Sequence, residues 1–319
     1  MSVLVEIDRP SAPATTAVPP TPRRPGRLAE KATPYLYLLP ACFFLGFFVY
    51  KPLIATFQYS FDDWNLVPTT PRRNVGWSNY VTLFHLPALW QALGVSAFYV
   101  GAMVVFGVAL PLVVGALIQH VSARARTVYR AVIFLPVLVS PVVAATLWSF
   151  LLTPNGGLVD RLLGTVGLGQ VNWFAGATTA RVAIALIGGW KIVGFAALVV
   201  SAGLAAISAD YYEAAAIDGA RHWQVFRRVT LPLLSPTIVF LVITVVLLSS
   251  QILFPLVNAL TEGGPTNATT DLYYFLYSYG FTSFDVGVAS AAATVFFLLF
   301  GTVALALVAL VDRLSFSDD

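Results

Sequence analysis

The sequence predicts an all-α polytopic membrane protein with six transmembrane helices, and three observations carry that prediction. Of 319 residues, 58% are hydrophobic and only 10% charged, and the mean hydropathy of +0.81 lies far above that of soluble globular chains. The apolar residues fall into six runs of about 20 residues or more, the length that crosses a bilayer core. They lack the alternation of a membrane β-strand, and a helix is the other way to satisfy backbone polar groups in lipid. Finally, arginine and lysine are distributed unevenly among the segments between the runs.

Residues 1–34 are rich in Pro, Ala, Thr and Arg and end in the basic cluster Arg23, Arg24, Arg27 and Lys31. They predict a disordered basic cytoplasmic tail that acts as a topology signal. The apolar run that follows starts too late and is too long for a cleaved signal peptide. Spans are predicted at 35–61, 93–118, 128–152, 181–204, 236–257 and 286–311. Together they make one transmembrane domain over 35–312, with a short cytoplasmic C-terminus at 313–319. Prolines interrupt the first span (Pro40, Pro52), the second (Pro111), the third (Pro136, Pro141) and the fifth (Pro255). Such breaks are tolerated where neighbouring helices satisfy the freed carbonyls.

Orientation follows from charge. With the tail inside, twelve basic residues lie on the cytoplasmic side: Arg9, Arg23, Arg24, Arg27, Lys31, Arg124, Arg126, Arg130, Arg221, Arg227, Arg228 and Arg313. Four lie outside, namely Arg72, Arg73, Arg161 and Arg181, while Lys51 and Lys191 fall within spans. This bias places both termini in the cytoplasm and, after four crossings, segment 205–235 there as well.

That segment is a polar island. Asp210, Glu213, Asp218, Arg221, His222, Arg227 and Arg228 fall within nineteen residues. Asp210 and Glu213 have capping-box-like spacing at a helix start, Ala214, Ala215 and Ala216 are strong helix formers, and Gly219 offers a tight turn. From His222 to Arg228 the pattern predicts an interfacial helix ended by Pro232.

The island resembles the EAA signature of permease subunits of bacterial ABC importers: Glu213-Ala214-Ala215, Gly219, then Val229 where Ile is usual, and Leu231-Pro232. Ser208 lies in the region where a Pro often precedes the Glu. The carbohydrate-uptake branch is resembled further by Phe61-Asp62-Asp63-Trp64, Gly76-Trp77-Ser78-Asn79-Tyr80, Phe134-Leu135-Pro136, Trp148-Ser149-Phe150 and Gly263-Gly264-Pro265-Thr266-Asn267, with Asp271 where Thr is common. Within that branch, 79–85 and the third span are most similar to the glycerol-3-phosphate permease subunit.

The resemblance implies a division of labour. A second permease subunit, forming a heterodimer, would complete the pathway within membrane lipid. Two ATPase subunits would bind ATP and Mg beneath it, and an extracytoplasmic substrate-binding protein would deliver cargo; no nucleic acid is implied. A short coupling helix, roughly Ala209–Gly219, would enter a cleft of an ATPase subunit. Glu213, Ala214, Ala215, Asp218, Gly219, Arg221, Arg227 and Arg228 are the residues expected at that contact. Consistent with that division, the chain has no Walker-type string, since none of its three lysines follows a glycine. It is expected to hold no cofactor and to be no enzyme by itself. The cargo implied is glycerol-3-phosphate or a glycerophosphodiester, with a disaccharide or oligosaccharide as the alternative.

Pathway candidates are fewer. Lys191 beside Trp190 reads either as a contact for an anionic substrate or as a lysine paired with a backbone carbonyl inside the bundle. Trp148 and Trp190 could stack on a sugar, and Gln251 and Asn258 could face a hydroxylated cargo, although membrane tryptophans also anchor and amides also bond between helices. Lys51 reads as snorkelling. His85, His120 and His222 have no metal-ligand spacing, and Cys42 allows no disulfide framework. A stand-alone secondary transporter would need inverted repeats and carboxylates buried in the spans, and the spans contain no such carboxylate. A membrane-embedded enzyme lacks any nucleophile–base or metal constellation.

Overall fold

The computed structural model describes residues 27–118, 123–154, 156–167 and 171–314. The expectations for the tail before Arg27, including Arg9, Arg23 and Arg24, for His120, and for the end beyond Leu314 lie outside the described residues. Two compact units divide after Leu53.

The first unit contains helix α1 (Arg27–Leu45), a π-helical turn Gly46–Tyr50 and the start of α2 (Lys51–Tyr59). Helix therefore begins inside the stretch that composition assigned to the tail. Leu28-Ala29-Glu30-Lys31-Ala32 are strong helix formers, and propensity overrides the proline-rich context before them. Phe43 stacks on Phe47 and Phe44 on Phe48, one turn apart. The Lys51 ammonium lies 4.6 Å from the Phe47 ring centre.

In the second unit a short antiparallel hairpin, β1 (Asp62–Asp63) and β2 (Arg73–Asn74), pairs Asp62 with Asn74 and Asp63 with Arg73. Helices α3 (Ser78–His85) and α4 (Pro87–Val104) follow, then a π-turn Val105–Ala109 and α5 (Leu110–Ile118). Next come α6 (Ala123–Leu138), α7 (Pro141–Leu151), α8 (Leu158–Thr165) and the long α9 (Ala177–Ala206). The polar island supplies α10 (Ala209–Ile217), α11 (His222–Val225), a π-turn Phe226–Thr230 and α12 (Leu231–Leu233). The chain closes with α13 (Ser235–Leu260), α14 (Leu272–Tyr277), a π-turn Ser278–Thr282 and α15 (Val286–Leu314).

Three of these four π-turns sit directly before an X-Pro pair. Lys51, Leu110 and Leu231 each donate their N–H five residues back, to Gly46, Val105 and Phe226, and each precedes a proline. Proline lacks an N–H and its ring crowds the carbonyl four residues back; the wider turn accommodates the ring without ending the helix. Pro232 therefore does not terminate the interfacial helix as expected. The interruption comes at Leu234, between Pro232 and Pro236.

Among the described residues five helices are long and apolar enough to cross a membrane, or six if the pair Ala131–Leu138 and Pro141–Leu151, bent by 106°, is one span. The stretch 128–152, predicted as one continuous third span, is instead folded as two arms. Pro141 holds Ser140 extended at φ −63°, ψ 151°, and Ser140 caps α7 by accepting the Val143 N–H at 3.3 Å.

The core gathers around α9. Ile184, Ile187, Ala196 and Val200 are buried against Tyr99 and Met103 of α4, Ala144 and Ala145 of α7, and Leu241, Val245 and Leu256 of α13. Small side chains on α9 let neighbouring backbones approach, which is how helices associate when lipid is as apolar as they are. A second cluster, including Leu83, Leu89, Phe275 and Phe296, joins α3, α4, α14 and α15.

Candidate functional site

The polar island folds as a compact helical projection between α9 and α13. Ile207 and Ser208 are extended, and Ser208 Oγ accepts the Asp210 N–H at 3.3 Å, so Ser208 is the N-cap of α10. This corrects the expected capping box. Asp210 lies in the first turn, where its charge suits the helix N-terminus, and Glu213 lies in the middle of the helix. Asp218 closes α10 with its N–H on Ala214 O at 3.0 Å, and Ala220 N–H returns to Ala215 O at 3.0 Å. The residue between them, Gly219, has φ +69°. This left-handed turn is costly for any residue with a Cβ, which explains the glycine. Arg221 starts the next helix, its N–H held at 2.8 Å by Gln224 Oε1.

Most of this surface faces outward. Glu213, Ala214, Asp218, Gly219, Arg221, Arg227 and Arg228 are exposed, and Ala215 is buried. Ile217 is 87% exposed and Trp223, stacked on Phe226, is 67% exposed. No hydrogen bond to the Glu213 carboxylate occurs among the described residues. The projection is anchored by Thr230, which is buried and sits 3.5 Å from Tyr212 Oη. It is a stable shape whose carboxylate and large apolar tips are left for something else to meet.

The pathway candidates separate into three places. Trp148 and Trp190 meet edge to face, 5.6 Å between ring centres, and line a cavity of about 420 Å³ with Phe106, Leu152, Trp173 and Ile187. Trp148 Nε1 and Trp173 Nε1 are buried without a hydrogen-bond partner among the described residues. Lys191 is buried on another face of α9, donating from Nζ to Pro136 O at 3.1 Å and to Val139 O. Gln251 is exposed and Asn258 half-buried on α13, and neither lines that cavity. Sequence reasoning missed Trp173; an aromatic pair, Trp173-Phe174, just before a span was the available signal.

The loops at 60–80 and 261–271 carry hydrogen bonds of their own. Asn79 Nδ2 donates to Ser60 O at 2.9 Å and Asp62 O at 3.1 Å, and Ser60 Oγ and Tyr80 Oη are 2.7 Å apart. In the loop before the last span, Asp271 caps α14 by accepting the Tyr274 N–H at 2.8 Å. Burial pushes the Asp271 carboxyl up to about 6, outweighing the lowering by the Tyr274 and Tyr273 amides.

The family model described as binding-protein-dependent transport system inner membrane component matches residues 107–315. The chain is 34% identical over 282 residues to the probable ABC transporter permease protein YurN of Bacillus subtilis, spanning 87% of this chain and 94% of that one. It is 33% identical over 279 residues to the sn-glycerol-3-phosphate transport system permease protein UgpA of Escherichia coli, spanning 86% and 92%. It is 32% identical over 269 residues to the trehalose/maltose transport system permease protein MalF of Thermococcus litoralis, spanning 83% and 88%. Among solved structures, a bacterial ABC transporter involved in the import of the acidic polysaccharide alginate matches with a TM-score of 0.78 at 26% identity, covering 90% of this chain and 99% of that one.

Proposed function

This chain belongs to the family of binding-protein-dependent transport system inner membrane components, the permease subunits of ABC importers, and on that premise we propose how it is driven and what it carries. The observation that carries the proposal is α10, a capped and exposed helix between two spans, with the Glu213 carboxylate unpartnered among the described residues. In our reading α10 is the coupling helix. It enters a cleft of an ATPase subunit, where Glu213 pairs with a basic residue, Ile217 fills an apolar contact, and Arg221, Arg227 and Arg228 hold the rim. Ala214 and Ala215 keep the helix slim, and Asp218 and Gly219 turn the chain back.

ATP and Mg belong to the two ATPase subunits, and this chain contributes no group to hydrolysis. Closure of the ATPase dimer pushes α10 of this chain towards its counterpart on a second permease, and α9 and α13 transmit the push to the pathway. Both termini and the island lie in the cytoplasm. A binding protein delivers cargo from outside, as a periplasmic protein is bound to an alginate ABC transporter in a related structure that covers 91% of this chain.

The cargo we propose is glycerol-3-phosphate or a glycerophosphodiester, by likeness to UgpA. A disaccharide or oligosaccharide is the second reading. It is favoured by the tryptophan-lined cavity beside Trp148 and Trp190, since ring faces suit a sugar, and by the engagement of Lys191 with carbonyls rather than with a free anion site. Proteoliposomes holding this chain, its partner permease and ATPase, with the cognate binding protein, should take up labelled glycerol-3-phosphate only with ATP. Uptake of maltose or trehalose instead selects the second reading, and ATP-independent uptake by this chain alone would overturn the importer assignment.

A further inference from the structure

The break between α6 and α7 creates a backbone problem inside the membrane. α6 ends at Leu138, so the carbonyls of its last turn have lost their usual amide donors, and Pro136 and Pro141 have no N–H to offer. Val139 N–H folds back to Pro136 O at 3.3 Å, and Ala144 N–H takes Ser140 O at 2.9 Å. Carbonyls at membrane depth need a donor from neighbouring protein. Here the donor is an ammonium: Lys191 Nζ on α9 reaches Pro136 O and Val139 O together.

Two neighbours of Lys191 act on the same break. Gly194, three residues on and therefore on the same helical face, lies so close to α6 that a Cβ there would collide with Ile133 O and reach 3.0 Å from Phe134 Cα. Trp190 packs edge to face on Trp148 of α7. One short stretch of α9 thus grips both arms of the bent span.

The arms have different companions, since α6 packs chiefly on α9 and α7 chiefly on α13. α9 and α13 are the two stems that carry the polar island between them. Any displacement of one stem against the other is therefore felt at the 106° bend. We propose that Lys191 is a positioning residue of translocation: it ties the end of α6 to α9, so that stem movement flexes the α6–α7 break instead of sliding α6 along α9. Lys191 acts on cargo passage through the backbone it holds, not by touching cargo. Its functional consequence rests on the importer reading; its geometric consequence does not.

The test uses the assembled complex in lipid, with Cys42→Ser as background and nitroxide labels at Val132 on α6 and Phe150 on α7, which are 58% and 72% exposed. Lys191→Met removes all three donors at near-constant length. The expected result is a broadened Val132–Phe150 distance distribution, with ATP-driven uptake lowered about tenfold or more, the scale of one lost charge-assisted hydrogen bond. Lys191→Arg restores the donors and should recover the narrow distribution and most of the uptake. An unchanged distribution in Lys191→Met overturns the clamp. So does a loss confined to an anionic cargo while a neutral sugar passes normally, because that assigns Lys191 to the substrate. If Lys191→Met does not assemble, Lys191→Gln, with two donors on a shorter arm, should show intermediate broadening, and a wild-type distribution there also overturns the proposal. Absence of uptake in the unsubstituted complex, with the bend responding as expected, counts against the importer reading alone.

Discussion

The segment between α9 and α13 and the loop between α13 and α14 are both polar interruptions in an apolar chain, yet they are built in opposite ways. In the α13–α14 loop, Ala268, Thr269, Thr270 and Asp271 are buried. Thr261 and Thr269 share a hydrogen bond of 2.7 Å, and Thr269 Oγ1 donates to Gly264 O at 2.8 Å. Helices on either side tie the loop down: Gln91 Nε2 donates to Thr266 O at 3.1 Å, Arg181 Nε donates to Ala268 O, and Ser96 Oγ accepts the Leu272 N–H at 2.9 Å. In the α9–α13 segment the backbone is capped just as well, but Glu213, Ile217 and Trp223 are exposed. The α13–α14 loop is completed by bonds within its own chain. The α9–α13 segment leaves charged and apolar side chains exposed, as the coupling role we propose for α10 requires.

Substitutions can break this contrast. The largest effect is expected from Glu213→Lys and Gly219→Asp, which should abolish uptake while insertion and assembly of spans persist. Reversing a buried interfacial charge costs about 2–5 kcal/mol, and an Asp at φ +69° distorts the turn that orients α10. Uptake and membrane insertion measured on the same preparations check this, and full uptake by either variant contradicts it.

Next in size is a pH effect confined to the α13–α14 loop. Burial raises the Asp271 carboxyl from 3.8 to about 6, so the folded state holds its proton more tightly than the unfolded chain. The contribution of this group to stability is full below about pH 4, is lost as pH rises through about 6, and is flat beyond, on the order of 2–3 kcal/mol in total. Asp271→Asn keeps an N-cap acceptor without the charge. It should raise thermal stability at pH 7 and remove the slope between pH 4 and 6, as read by melting curves across that range.

Smaller changes should sharpen the comparison. Ile217 is 87% exposed and Trp223 touches chiefly Phe226, so Ile217→Ser should shift the chain's own stability by less than about 0.5 kcal/mol and Trp223→Ala by about 0.5–1.5 kcal/mol. Affinity for the ATPase subunits should fall by about 1.5–3 kcal/mol per apolar side chain lost from a buried contact, readable by titrating detergent-solubilised permease with ATPase. Smallest of all, Arg227→Ala should weaken the same association by about 0.2–1 kcal/mol, an effect that fades at high salt.

The sequence makes one side of this contrast far easier to read than the other. Long apolar runs announce the spans because crossing lipid demands length, and the spacing of Glu213, Gly219 and Leu231-Pro232 announces the α10 projection because its shape is local. What escapes is whatever depends on partners distant in the chain. Lys191 reads equally as an anion contact or a carbonyl donor until Pro136 O and Val139 O, 55 and 52 residues away, are seen beside it. Pro136 and Pro141 signal a break in the third span, but not that neighbouring helices hold it at 106°. The threonines before α14 carry no periodic pattern: Thr269 and Thr270 bond within the loop, to Thr261, Gly264 and Gly263, while α4 and α9 hold its backbone. Even the cap of α10 reads from the sequence as Asp210, two residues late, because Ser208 becomes visible as an N-cap only where Ile207 is extended.

The coupling role of α10 is tested most directly by a single cysteine at Ile217 in a Cys42→Ser chain, labelled in inverted membrane vesicles with a membrane-impermeant thiol reagent. With the ATPase subunits stripped away the cysteine should label readily from the cytoplasmic face, and adding the ATPase back should protect it. Equal labelling with and without ATPase, or labelling only from the opposite face of the membrane, would contradict the account.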